Sequence, residues 1–313
     1  MLQEKQQQSD FCIAWNWEYD ADFVSLLESS CRNRSITLFQ ITPDNIDNVL
    51  QSIEHNSPCW QIFFDRASDT DRRFHPIVEW ARKNVRFYIN HIDCALRAGN
   101  KALMHLPFIT AGIYTPYTII LPPYDEQPNI PQKDLTPLGE KFIIKPARGG
   151  GGEGVVTDAT SWNRVITTRE KHPSDMYLLQ AFIEPINLCG KPAWFRVLYC
   201  AETVYPHWWD THTHIYSPVT EEEEHKFNIT ELRTITHTIA EICRLELFST
   251  EIALTGDSTF VVVDYINDQI DLRLQSKAVD GIPDDVVCSI AERLTEIGIQ
   301  KTQKLPDGIH NIQ

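Results

Sequence analysis

Between Phe142 and Val156 the chain reads Phe-Ile-Ile-Lys-Pro-Ala-Arg-Gly-Gly-Gly-Gly-Glu-Gly-Val-Val, placing Lys145 ahead of five glycines, Gly149, Gly150, Gly151, Gly152 and Gly154. Glycine tolerates positive φ and carries no Cβ, so consecutive backbone amides can turn toward an anion and approach it closely. A lysine just before such a loop can neutralise phosphate charge, and Arg148 and Glu153 sit inside it. The chemistry on offer is phosphate binding. No Gly-Lys-Ser/Thr closes the run and no helix opens directly after it, so it is not a Walker A loop. Taken alone, the run is either a phosphate cradle or a flexible hairpin tip, since a plain linker would not be bracketed so tightly by β-like segments.

Other reactive residue types are weaker signals. His207, His212 and His214 lie in His-Trp-Trp-Asp-Thr-His-Thr-His, where His212 and His214 would share one face of a strand. No cysteine or fourth ligand is spaced to complete a zinc site, so the group reads as an aromatic, polar pocket wall or as strand packing. No Ser/His/Asp or Cys/His nucleophile arrangement is present. Glu221–Glu224 reads as a solvated charge cluster or an approach to a helix, and Trp15, Trp17, Trp60 and Trp80 read as core.

The elements that must position these residues fall into two styles. From Phe11 to about Asn90, apolar runs at Phe11–Trp15, Ile36–Ile41, Trp60–Phe64 and Val85–Ile89 alternate with helical patterns at Asp22–Ser30, Pro43–His55 and Phe74–Lys83. Short links between alternating strands and helices imply parallel pairing. Ligands of such sheets collect beyond the carboxyl ends of the strands, where Asn16–Asp20 and Asp65–Arg73 form polar loops. A helix is predicted over His91–Leu106, stopped by Pro107, then a strand at Thr118–Leu121 and an exposed Pro-rich connector over 122–132. Later strands are predicted at Phe142–Lys145, Val155–Thr157, Tyr177–Ile183, Phe195–Cys200, Thr203–Trp208, Phe248–Ala253 and Phe260–Tyr265, with helices at Ser161–Lys171, Asn228–Arg244 and Asp284–Ile299. Turns too short for a helical crossover, as between Cys200 and Thr203, imply antiparallel pairing there.

Composition bounds the partners. The 313 residues are 42% hydrophobic and 23% charged, enough for two or three compact units. With 28 basic and 43 acidic residues the formal charge is −15, which repels a nucleic-acid backbone at long range. The eight cysteines form no Cys-x-x-Cys pair and several sit in apolar runs, as buried reduced thiols do. No apolar stretch is long enough to span a membrane, and Met1–Asp10 is polar rather than signal-like, with the first eight residues expected to fray. These features fit a cytoplasmic enzyme without a membrane or nucleic-acid partner.

With the glycine-rich run as anchor, the sequence resembles the ATP-grasp superfamily through most of its length. The resemblance implies an α/β plus α+β fold: an N-terminal parallel-sheet pre-ATP-grasp domain over 1–95, a lid subdomain over 96–185 and a C-terminal subdomain over 186–313. It implies ATP and Mg²⁺ as cofactors, with the glycine-rich hairpin closing over the triphosphate. Lys101 in Gly-Asn-Lys-Ala and Lys145 are similar to the two lysines of the family's nucleotide site. Tyr177–Pro185 is similar to the hinge that reads adenine through backbone groups of Gln180, Ala181, Phe182 and Ile183, with Glu184 toward the ribose. Arg196 in Phe-Arg-Val-Leu resembles the arginine that touches the γ-phosphate, a planar fork suited to a migrating phosphoryl group. Glu251, Asp264 and Asn267 resemble the magnesium ligands, and a carboxylate after three valines is costly to bury without a counter-ion. Asp264 and Asn267 are three apart rather than two, so a bulge or strand end must bring them together, or Asp268 must substitute. Arg273 is a candidate anchor for phosphate or an acceptor carboxylate, the alternative being a helix-face salt bridge.

The resemblance implies a carbon–nitrogen ligase: ATP phosphorylates a small-molecule carboxylate, and an amine displaces phosphate from the acylphosphate. Positioning and charge neutralisation dominate such phosphoryl transfer, which suits lysines, arginine, amides and Mg²⁺. A kinase acting on a hydroxyl and a non-catalytic ATP-binding protein remain alternatives. Arg66, Arg72 and Arg73, with Trp17 and Glu18, either face the acceptor or are surface charge. Dimers are common in the superfamily, so a homodimer stays open, although nothing in these motifs encodes an interface.

Overall fold

The computed structural model describes residues 9–55 and 60–303; Cys59 and the first eight residues, expected to fray, fall outside them. Strands β1 (Ser9–Trp15), β2 (Leu38–Ile41), β3 (Trp60–Arg66) and β4 (Phe87–Ile89) form a parallel sheet in the order β2-β1-β3-β4, linked by helices α1 (Ala21–Asn33), α2 (Ile46–Glu54) and α3 (His75–Asn84). Alternation along β1 splits its side chains. Cys12 and Ala14 join Phe63, Ile77 and Val78 under α2 and α3, whereas Phe11 and Ile13 face Leu27 of α1 and Ile290 and Leu294 from the end of the chain. Those last two belong to α9 (Asp284–Gln303), as described below.

The predicted single helix over His91–Leu106 is two helices, α4 (Ile92–Ala98) and α5 (Lys101–Thr110). Asn100 ends the continuity because its side chain accepts from the backbone N–H groups of Ala102 and Leu103, starting a new helix. Pro107 does not stop this helix; it sits on the exposed side of α5, which runs on to Thr110. A four-stranded antiparallel sheet follows in the order β5-β8-β6-β7, made by β5 (Thr118–Leu121), β6 (Phe142–Pro146), β7 (Val156–Ala159) and β8 (Tyr177–Ala181), with α6 (Trp162–Arg169) between β7 and β8. Phe142, Ile144, Leu179 and Val165 make its core.

A short hairpin, β9 (Asn187–Leu188) and β10 (Lys191–Pro192), leads into the largest sheet, ordered β13-β12-β11-β14-β15 and antiparallel throughout. Its strands are β11 (Trp194–Cys200), β12 (Thr203–Trp209), β13 (Tyr216–Pro218), β14 (Leu247–Leu254) and β15 (Phe260–Asn267), with α7 (Glu221–Phe227) and α8 (Glu231–Cys243) inserted before β14. Glu221–Glu224 forms the first turn of α7 under a capping box between Thr220 and Glu223, and Glu224 is buried against Arg233 rather than solvated. One face of this sheet, with Phe195, Val197 and Phe248, packs on α5 and α8. On the other face Leu198, Cys200 and Leu247 share a cluster with α9 and the N-terminal sheet, so the last helix fastens the two sheets together. Trp60 is buried as expected, but Trp17 is exposed. No disulfide joins the described cysteines, and no described helix is long and apolar enough to cross a membrane.

Candidate functional site

The antiparallel registers of the large sheet line up a row of polar side chains. His207 pairs with Arg196, Arg196 with Glu251, and Glu251 with Asp264, so four adjacent strands contribute directly opposed positions. Ser249, two residues before Glu251, pairs with Asn267, three residues after Asp264. The extra residue in β15 is a bulge, and it returns Asn267 to the face of Asp264 despite their odd spacing. Glu251 and Asp264 line a cleft of about 1210 Å³ beneath the glycine-rich hairpin; Asn267 is not among its lining residues. Asp268 does not substitute, since it is bonded to Asn90 and burial pushes its pKa up to about 6.

Arg196 is engaged within this row. Its Nη1 lies 3.2 Å from Glu251 Oε1, its Nε donates to Ser249 Oγ at 3.3 Å, and its guanidinium stands 4.8 Å over the Trp209 ring. The other oxygen of Glu251 accepts from Trp194 Nε1 at 3.0 Å. Burial first, then the neighbouring Asp264, raises the pKa of Glu251, with Arg196 opposing. Two carboxylates facing each other across paired strands repel, and a divalent cation relieves that repulsion. Among the described residues no group of three or more His, Cys, Asp or Glu is arranged to hold a metal. The donor set nonetheless suits Mg²⁺, which typically takes one or two carboxylates and completes its shell with water and substrate phosphates.

Two lysines enter the cleft from the side of the glycine-rich hairpin. Lys101 opens α5 with its N–H bonded to Ala147 O at 2.8 Å, and its Nζ donates to Gly149 O at 2.9 Å and sits 3.9 Å from Asp264. Lys145 Nζ donates to Val263 O at 2.9 Å and lies 5.7 Å from the Tyr265 ring centre. Burial lowers the Lys145 pKa to about 8, with Asp264 opposing and Lys101 adding to the shift. Two adjacent buried ammonium groups have much to gain from an anion.

The glycine-rich run joins β6 and β7 as a hairpin. Gly149 (φ +104°), Gly151 (φ +61°) and Gly152 (φ +76°) occupy the left-handed region with open space where a Cβ would stand, and with Gly150 they line the cleft. Gly154 instead packs on His172, only 3.0 Å from where its Cβ would be. Arg148 is exposed and outside the lining; its backbone N–H goes to Asp175. Gln180, Ala181, Phe182, Ile183 and Glu184 form another wall. The Gln180 side chain is internal, donating to Thr118 Oγ1 at 3.0 Å, and the Ala181 N–H is taken by Tyr117 O, whereas Phe182 and Glu184 are exposed. The histidines are not on a strand face: His212 and His214 lie on the turn between β12 and β13, where Asp210 Oδ1 accepts the N–H groups of His212 and Thr213, and both histidines line the cleft.

Arg273 stands apart. It lies in the irregular segment after β15, bonded to Asp271 at 2.6 Å and Asp280 at 2.9 Å, so it is ion-paired on a loop rather than on a helix face. Arg66 likewise is no free anchor, because Asp20 holds it bidentately at 2.9 and 2.7 Å and its Nη2 also donates to Ile270 O. Arg73 is paired with Asp71. Trp17 lines a second cavity of about 370 Å³ at the ends of β1 and β3, whereas Glu18, Arg72 and Arg73 do not. Residues the sequence reading passed over include Trp194, which holds Glu251, and His105, whose Nδ1 is 2.6 Å from Tyr265 OH. The signal for His105 was its position four residues after Lys101, on the same helix face.

No protein-family profile and no curated protein matches the chain. Solved structures do. The D-alanine–D-alanine ligase of Bacillus anthracis complexed with ATP superposes with a TM-score of 0.64 at 10% identity, covering 95% of this chain and 98% of that one. The ATP-grasp ligase PsnB with minimal precursor, Mg and ADP gives a TM-score of 0.59 at 11% identity over 94% and 98% of the two chains. Macrocyclase MdnC from Microcystis aeruginosa, bound to its precursor peptide, gives 0.63 at 11% identity over 93% and 99%.

Proposed function

Starting from the ATP-grasp fold of this chain, we propose that it is an ATP- and Mg²⁺-dependent ligase that joins a carboxylate to an amine through an acylphosphate. One observation carries the reading. Two buried lysines, Lys101 and Lys145, and the opposed carboxylates Glu251 and Asp264 converge in one cleft under a glycine-rich hairpin. Cations suit the phosphates, and the carboxylates suit a divalent metal that would accompany them.

In this reading Lys101, Lys145 and the amides of Gly149–Gly152 hold phosphate oxygens, and Gln180–Glu184 flank the base and ribose. Glu251 and Asp264 would hold Mg²⁺, which would neutralise phosphate charge, and Asn267 is the third candidate on their face. Arg196, which is not among the residues lining the cleft, favours the ionised form of Glu251 and orients it from behind. The hairpin excludes water from the acylphosphate. Trp194, Thr211, His212 and His214 border the acceptor end. The structurally similar proteins named above include a D-alanine–D-alanine ligase and a macrocyclase, and their chemistry supports carbon–nitrogen bond formation here.

The test is a thermal-shift titration with Mg-ATP, followed by ADP and phosphate assays across panels of carboxylates and amines. Stabilisation with equal release of ADP and phosphate, dependent on both acceptors, supports the ligase. ADP without phosphate identifies a kinase, stabilisation without turnover a binding protein, and no stabilisation refutes the site.

A further inference from the structure

A chain of side-chain hydrogen bonds runs behind one wall of the cleft. Gln180 of β8 stands opposite Ile143 of β6, so its side chain shares the cleft face with Ile143 and Lys145. It is 1% exposed, and its amide is oriented from behind. Thr118 Oγ1 gives its only hydrogen to Pro116 O at 2.7 Å, so it meets Gln180 with lone pairs and accepts from Nε2 at 3.0 Å. The second hydrogen of Nε2 goes to Tyr265 OH at 3.4 Å, and that hydroxyl lies 2.6 Å from His105 Nδ1. Burial first, and the Lys145 charge second, lower the His105 pKa, which leaves a neutral imidazole able to accept the phenolic hydrogen. With both amide hydrogens engaged, Oε1 is the free end of Gln180. No described residue bonds it, and it is not sealed from solvent.

We propose that Gln180 selects the base of the bound nucleotide, its Oε1 admitting a purine with an amine at C6 and rejecting one with a carbonyl there, and that Thr118, Tyr265 and His105 are positioning residues that lock its amide in this orientation. The proposal rests on the reading of the cleft as a nucleoside triphosphate site. The order of residues along β6 puts the base at this wall. The glycines follow Lys145, so phosphates beneath the hairpin lie to one side of it, and Ile143 with Gln180 lies about 7 Å to the other. Ile143, Pro116 and Val263 also line the cleft and suit the flat faces of a base, while the polar Oε1 meets its edge. A carbonyl oxygen can only accept. Against an exocyclic amine it gains a hydrogen bond, whereas against a carbonyl two acceptors face each other unpaired, and a site built to bond one group refuses its replacement in this way. Turning the amide over would present its NH2 to a carbonyl base, but it would also set Oε1 against the lone pairs of Thr118.

Calorimetric titration of the full chain with the magnesium complexes of ATP, purine riboside triphosphate and ITP tests this. The three carry an amine, a hydrogen and a carbonyl at C6. Affinity should fall in that order, with ATP bound roughly 5- to 150-fold more tightly than ITP. Tyr265→Phe, Thr118→Val and His105→Leu should each lower the ATP-to-ITP ratio, whereas Thr118→Ser, which keeps the hydroxyl, should retain it. Damage to the fold alone would weaken all three nucleotides alike and leave the ratio unchanged. Equal wild-type affinity for ATP and ITP overturns the proposal while the nucleotide site stands, and binding of none of the three overturns both. A ratio that survives both Tyr265→Phe and Thr118→Val overturns the positioning roles.

Discussion

Replacing Lys145 by methionine should stabilise the ligand-free protein while crippling nucleotide binding. Methionine keeps the length of the side chain and removes the charge. Burial lowers the Lys145 pKa from 10.5 to about 8, so the buried ammonium costs about 3 kcal/mol at neutral pH. Methionine relieves that cost but leaves Val263 O without its donor, a loss of about 1 kcal/mol. The net gain is about 2 kcal/mol, or a few degrees in melting temperature for a chain of this size. The sign of the pH dependence follows from linkage. Between pH 8 and 10.5 native Lys145 has released a proton that the unfolded chain still holds, so wild-type stability from this group rises across that window. The advantage of the variant is therefore full below pH 8, is gone before pH 10.5, and is there reversed by the roughly 1 kcal/mol lost at Val263 O. Against this, one charge-assisted bond to phosphate is worth about 1.5–3 kcal/mol, a loss of roughly 10- to 150-fold in ATP affinity. At ATP a hundredfold above the wild-type Kd, the stabilisation of about 2.7 kcal/mol should at least halve. Thermal melts with and without Mg-ATP, at several pH values, measure both effects. A variant less stable than wild type when ligand-free, or one with an undiminished ATP shift, would refute the argument.

Asp264→Asn should reduce Mg²⁺-dependent ATP turnover far more than nucleotide binding, and chelation of Mg²⁺ should have the same effect on wild type; turnover at wild-type rate removes Asp264 from the metal site. Arg66→Met should cost about 3–5 kcal/mol in denaturant melts by leaving Asp20 buried and unpaired, whereas Arg66→Met with Asp20→Leu should recover most of it. Gly154→Ala should cost about 1–2 kcal/mol, because φ is +73° and the new Cβ meets His172. Arg273→Gln should leave the ATP-induced shift unchanged, since its partners are Asp271 and Asp280 and it does not line the cleft.

The buried Asp20–Arg66 clasp and α9 together tie the N-terminal sheet to the segment after β15 and to the large sheet. The cleft is thus framed by units that are fastened to each other. The hairpin over it has open space where the Cβ atoms of Gly149, Gly150, Gly151 and Gly152 would stand, while Gly154 packs on His172 and Gly149 O accepts from Lys101.

What the sequence determined by itself is whatever neighbouring residues encode. Alternation of strand and helix patterns over Phe11–Asn90 implied a parallel sheet, and the Cys200–Thr203 link implied antiparallel pairing, because connection length limits pairing direction. Five glycines after Lys145 marked a hairpin with positive-φ positions, because positive φ is a local demand. Tertiary structure alone decided which groups are free to act. Arg66 and Arg73 read as loop arginines facing an acceptor or solvent, and Arg273 as an anchor or a helix-face ion pair, yet carboxylates hold all three. Arg196 faces Glu251 across a strand pair whose partners are 55 residues apart. The bulge in β15 returns Asn267 to the face of Asp264, and only the register of β14 against β15 reveals it. Coulomb and hydrogen-bond energies depend on distances across the fold, and local spacing does not contain them.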